Sequence, residues 1–138
     1  MADNLRYNDA QRREYLKMID RVGQGWLSVF QGNTEFYSAN YWDLLTSLWR
    51  NKGPVRKTDA LKSMTAIKSA HTAGKYLQDA LAQGLIREAD NPKDARSKLV
   101  ELDPEMRRLL DRFFDTAVGE VRRASRAIDI KGPSPEQP

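Results

Sequence analysis

The stretch from residue 58 to residue 105 changes its hydrophobic period twice, and this constrains the fold more than any other feature of the chain. Up to Gln83 the apolar residues recur at helical spacing in two short runs, first Ala60, Leu61 and Met64, then Ala70, Ala73, Leu77, Ala80 and Leu81. Thr58 and Ser69 are placed to cap these helices, a turn over 65–68 separates them, and Gly84 stops the second. The pattern then becomes that of strands: Leu85 to Ala89, and again Arg96 to Leu102, on either side of the turn residues Asn91-Pro92-Lys93-Asp94. Asp103-Pro104-Glu105 returns the chain to helix with a cap, a first-turn proline and a first-turn acid. Two short helices joined by a tight turn form a helix-turn-helix pattern, here followed at once by a hairpin with a charged tip.

Longer helices flank this core. The first is predicted from about Asn8 to Gln31, capped by Asn8 or Asp9, with Tyr15, Leu16, Ile19, Val22, Trp26, Leu27, Val29 and Phe30 on its apolar side. A second runs from Thr34 or Ser38 to Asn51, and Gly53-Pro54 ends it. The last carries Met106, Leu110, Phe113, Ala117, Val121, Ala124 and Ile128 at steps of three and four. A chain of 138 residues suits one domain. That domain is expected over 1–130, with a lobe at 41–102, flanking helices at 1–33 and 103–130, and a disordered tail at 131–138. The two outer helices are more apolar than one small lobe can cover, so a homodimer is expected.

The charge is unevenly placed. Residues 50–75 hold Arg50, Lys52, Arg56, Lys57, Lys62, Lys68 and Lys75 against Asp59 alone, whereas 1–49 and 76–138 are each slightly acidic. A concentrated basic segment is the footprint of a nucleic-acid surface, although a solvated face would give the same count. The polar side of the helix after Ser69 presents His71, Thr72, Lys75, Gln78 and Asp79, residue types suited to a DNA groove. The chain has no cysteine and one histidine, which argues against disulfides, metal centres, cofactors and nucleophilic catalysis; no enzyme is expected. No apolar run reaches membrane-span length and the N-terminus lacks a signal-peptide core, so a cytoplasmic location is expected. Asp111 and Asp115, with Arg107, Arg108 and Arg112 nearby, read as a solvated ion-pair face.

Residues 41–110 resemble the winged-helix core of MarR-type bacterial transcription regulators. The resemblance rests on Gly84-Leu85-Ile86 at the end of a helix, on Asp94-x-Arg96 in the hairpin, and on a helix start directly after it. The family's usual Leu-Thr-x-x-Gly after the wing is replaced here by Leu102-Asp103-Pro104-Glu105-Met106. The resemblance implies a mainly α fold with a small β-hairpin wing, its DNA-binding lobe flanked by N- and C-terminal dimerisation helices. It implies sequence-specific double-stranded DNA binding by a homodimeric repressor. Carried onto this chain, it puts Ser69, His71, Thr72, Lys75 and Gln78 on bases or phosphates and Arg96 in the minor groove, with Asp94 holding Arg96. Lys62, Lys68, Arg56 and Lys57 would contact phosphates that position without specifying, and the basic wing tip of Lys93, Arg96 and Lys98 would continue the surface of the basic helix. Trp26, Phe30, Tyr37, Tyr41 and Trp42 read first as core and dimer interface, and second as a pocket for a small aromatic effector that releases DNA. The competing function is a winged helix used for protein–protein contact without specific DNA binding.

Overall fold

A computed structural model of the chain describes residues 4–133. The helices are α1 (Asp9–Val29), α2 (Ala39–Arg50), α3 (Lys57–Lys62), α4 (Ala70–Ala82) and α5 (Pro104–Ile130), with a single 3-10 turn at Thr34–Phe36 before α2. The strands are β1 (Val55–Arg56), β2 (Ile86–Asp90) and β3 (Lys98–Leu102). They form one antiparallel sheet in the order β1-β3-β2. The chain divides into two compact units, a helical unit of residues 1–31 and 112–138 and a lobe of residues 32–111.

In the lobe, the sequence pattern and the packing agree closely. Ser38 and Ser69 cap α2 and α4, their hydroxyls accepting from the backbone N–H of Tyr41 and Thr72. Gly84 ends α4 with φ +76°, a left-handed value that suits glycine. There its N–H reaches Leu81 O and the next N–H, of Leu85, reaches Ala80 O, which satisfies two orphan carbonyls. Leu44, Leu45, Leu77 and Val100 are fully enclosed at the centre of the lobe. Each such side chain contributes about 1.5–3 kcal/mol on burial. The carbonyl end of α2 is closed from α5. Arg107 donates through Nη2 to Leu48 O at 3.2 Å and Asn51 O at 2.7 Å, and through Nη1 to Trp49 O at 3.2 Å. A guanidinium suits this position because the last carbonyls of a helix carry its negative dipole end.

Several expectations are corrected. Thr58 does not cap α3: Arg56 occupies the cap position, without a side-chain hydrogen bond, and Thr58 lies inside the helix. Ala70 is exposed rather than part of the buried side of α4. Arg96 and Ser97 belong to the hairpin loop, because β3 starts only at Lys98. Asp111 is not simply solvated; it accepts from the indole Nε1 of Trp49 at 2.7 Å. The two-residue β1 has no periodicity to read and exists because β3 offers it an unpaired edge, with Val55 opposite Val100 and Arg56 opposite Leu99.

The helical unit is built on α1 and the later part of α5. Trp26 packs edge-to-face on Phe30 and Phe113 with ring centroids 5.1 and 5.3 Å apart. Asn8 and Gln11 form a reciprocal capping box at the start of α1. The same two side chains hold the chain where α5 ends: Asn8 Nδ2 donates to Lys131 O at 2.9 Å, and Gln11 Nε2 to Ile128 O at 3.0 Å and Pro133 O at 3.4 Å. Gly132 fits against them so closely that a Cβ there would fall 2.6 Å from Asn8 Nδ2. Residues 131–133 of the tail expected to be disordered are thus held in place; residues 134–138 of that expectation lie outside the described residues.

Candidate nucleic-acid interface

Helix α4 and the β2–β3 hairpin carry the residues singled out from the sequence. On α4, Ala73, Leu77 and Ala80 are buried while His71, Thr72, Lys75 and Gln78 are exposed, the alternation a 3.6-residue period imposes on a half-covered helix. Ser69 sits at the cap, so the N-terminal end of α4 presents its polar residues outward. Glycine at position 74 leaves open space where a Cβ would stand.

The hairpin tip is held by its own side chains. Asn91 Oδ1 accepts from Lys93 N at 3.0 Å and Asp94 Oδ1 from Arg96 N at 3.0 Å, two turns in which a short acceptor captures the backbone two residues on. Arg96 projects with its side chain 97% exposed, its Nε 4.0 Å from Asp94 Oδ1. That spacing leaves the guanidinium almost wholly in water. Lys98 instead pairs with Asp90 across the hairpin. This contact pushes the Asp90 carboxyl down and the Lys98 ammonium up from their ordinary values.

The basic segment separates into two sets. Arg56 binds Asp59 at 3.2 Å and Lys57 binds Glu88 at 2.9 Å, so these two are already engaged within the lobe. Among the described residues no ion pair holds Arg50, Lys52, Lys62, Lys68 or Lys75, nor Lys93 of the wing. Lys62, Lys68, Lys75 and Lys93 are all exposed.

Asp79 departs from its expected place on the outward polar side of α4. Its Oδ2 accepts the Tyr41 hydroxyl at 2.5 Å, and the Glu35 carboxyl lies close enough to interact with it. Tyr41's hydrogen bond above all, then the Glu35 carboxyl, holds the Asp79 carboxyl below the ordinary range. The neighbouring Asp79 raises Glu35 in turn. Tyr41 itself is buried, and burial followed by the Asp79 contact holds its phenol well above the usual value. The periodicity that places Tyr41 in the core gives no sign of this cluster, because Tyr41 and Asp79 stand 38 residues apart in the chain.

The five aromatic residues named as a pocket fall in different units: Trp26 and Phe30 are buried in the helical unit, and Tyr37, Tyr41 and Trp42 are in the lobe. Tyr41 packs edge-to-face with Phe36 and Tyr76, centroids 4.9 and 5.1 Å apart, while Tyr37 and Trp42 are exposed. A cavity of about 770 Å³ in the helical unit is lined instead by residues that include Tyr7, Tyr15, Leu16, Val121 and Ile128.

Several solved structures share this architecture. One is a mutant of MepR from S. aureus bound to an oligodeoxyribonucleotide, with TM-score 0.62, 16% identity, and coverage of 83% of this chain and 78% of that one. Another is a MarR family transcriptional regulator from Streptomyces coelicolor in complex with DNA, with TM-score 0.53, 21% identity, and 88% and 76% coverage. A mutant MarR from E. coli complexed with operator DNA matches at TM-score 0.53 and 16% identity, over 85% and 78% of the two chains. The fold is a MarR-like winged helix. No family model and no curated protein sequence matches the chain. In this winged helix α3 and α4 are the helix-turn-helix pair, β2 and β3 are the wing, and β1 completes its sheet.

Proposed function

We propose that the protein binds double-stranded DNA sequence-specifically as a homodimer and regulates transcription, acting as a repressor. The observation that carries this reading is the set of exposed cations on and around α4 that have no carboxylate partner among the described residues. Exposed ion pairs are worth only about 0–1 kcal/mol, so leaving five lysines and arginines of one segment unpaired costs the fold little. It keeps them available to phosphates. His71, Thr72 and Gln78, on the outward side of a helix of major-groove size, are the candidates for base edges. Arg96 is the candidate for the minor groove, and Ser69, Lys62, Lys68, Lys93 and Lys98 for phosphates, Lys98 after exchanging Asp90 for DNA. DNA is present in three solved structures of the same fold, which supports the assignment. The exposed apolar residues of the helical unit support self-association; Leu16, Ile19, Val118 and Val121 are 58%, 43%, 61% and 52% exposed.

Selection of bound sequences from random duplex DNA tests the reading. The expected result is an enriched pseudo-palindrome whose half-sites lie about 10 base pairs apart or a multiple of that. Its affinity falls about 10³-fold or more between about 50 and 200 mM salt, as for about six phosphate contacts. Absence of enrichment, or binding indifferent to salt, overturns it.

A further inference from the structure

Asp79 stands four residues after Lys75 on α4, and residues four apart on a helix are surface neighbours. A carboxylate and an ammonium so placed are within reach of each other. Here they do not pair: Asp79 accepts the Tyr41 hydroxyl, and no ion pair holds Lys75 among the described residues. An ionised carboxylate on a helix that faces phosphates repels them and competes with them for the nearest lysine, so the direction in which Asp79 points matters to any DNA contact. We propose that Tyr41 is a positioning residue for DNA binding, its hydroxyl holding the Asp79 carboxylate inward so that Lys75 is free to neutralise a phosphate. The inference rests on the DNA-binding reading above.

The geometry suits the task. Tyr41 is 4% exposed and its ring is fixed between Phe36 and Tyr76, so the hydroxyl has little freedom to leave Asp79. Its O–H···O distance of 2.5 Å is that of a charge-assisted hydrogen bond. The anion comes from α4 and the donor from α2, so the bond also sets how α4 is turned against α2.

The test uses the full chain and a duplex carrying the sequence the wild type enriches from random DNA, with affinity measured across a salt series. Tyr41→Phe keeps the ring and removes only the hydroxyl. Asp79 is then expected to turn to Lys75, with affinity down several-fold and the slope of log affinity against log salt reduced by about 0.9, the value of one phosphate contact. Asp79→Asn alone is expected to keep the wild-type slope, and the double variant to recover it. A hydrogen bond that merely stabilised the fold would give the opposite order, with Asp79→Asn as harmful as Tyr41→Phe and no recovery in the double variant; that order overturns the proposal. Should Tyr41→Phe fail to fold, Lys75→Gln in the wild-type background still decides: an unchanged slope shows that Lys75 contacts no phosphate and overturns the proposal, and a slope reduced by about one contact supports it. A wild type that binds no duplex overturns the DNA-binding reading as well, whereas a wild type that binds and a Tyr41→Phe variant with the same slope overturn this inference alone.

Discussion

In the lobe, Lys62, Lys68 and Lys75 reach solvent with no carboxylate partner among the described residues, whereas in the helical unit Glu14 is 5% exposed and held by Lys131 at 2.8 Å and Arg123 at 3.6 Å. Arg21 and Arg123 of the helical unit also share Glu120, and Arg12 takes Asp9. The apolar residues show the reverse contrast. The lobe encloses Leu44, Leu45, Leu48, Leu77, Met64 and Met106, while the helical unit leaves Tyr15, Leu16, Ile19, Val118 and Val121 uncovered. A surface of unpaired cations favours an anionic partner through contacts that salt weakens. A surface of uncovered apolar side chains favours an apolar partner through contacts that salt barely touches. The difference between the units is thus a difference in the physics of the partner each one suits, DNA for the lobe and a second copy for the helical unit on the proposed reading.

The contrast can be broken or sharpened, beginning with the largest expected effect. Leu77→Ala removes a fully enclosed side chain from the buried side of α4. It is expected to lower stability by about 2–5 kcal/mol in urea unfolding and to abolish DNA binding with it. A loss below 1 kcal/mol would show that α4 is not anchored by its core. Leu16→Glu places a charge on the uncovered face of α1 and is expected to weaken self-association by about 100-fold, roughly 2.7 kcal/mol, by light scattering, with the monomer's fold intact. A wild type that is already monomeric at micromolar concentration breaks this half of the comparison.

Gly84→Ala sets a Cβ on a residue at φ +76° and is expected to cost about 1–2 kcal/mol of stability, read from the thermal midpoint. Arg96→Ala is expected to leave stability within about 0.5 kcal/mol, since the side chain stands in water, while reducing the salt slope of DNA binding by about one contact. The smallest effect concerns acid. The Lys131 hydrogen bond, then its charge, holds the Glu14 carboxyl below its reference of 4.5. A depressed carboxyl stabilises the folded state above that reference and loses the contribution as pH falls through its folded value. Protection from hydrogen exchange at the start of α1, taken relative to the intrinsic exchange rate at each pH, is therefore expected to fall in acid in the wild type and to fall less in Glu14→Gln.

Much of the lobe was legible in the chain because its signals are local. Ser69 and Gly84 bound α4 by cap chemistry that any peptide would obey, the turn residues Asn91 to Asp94 fall where the hairpin turns, and Pro104 opens α5. The exposed side of α4 follows from its period. The illegible parts are those in which one segment completes another. Nothing near Arg107 announces that it closes the end of α2, and nothing near Thr58 shows that β1 pulls Arg56 into the cap position of α3. The docking of Lys131 and Gly132 on Asn8, Gln11 and Glu14 joins residues more than a hundred positions apart, so a tail rich in glycine and proline read as disorder.

The amino-acid sequence by itself determined the order of the elements, their caps and stops, the position of the hairpin, and the concentration of positive charge before and within α4. Backbone sterics and hydrophobic period act over a few residues, and a linear chain displays them directly. Only the tertiary structure decided which of those charges remain unpaired and where Asp79 points. Pairing depends on distances between side chains, and folding sets those distances by bringing Tyr41, Glu35 and Asp79 together from three separate segments.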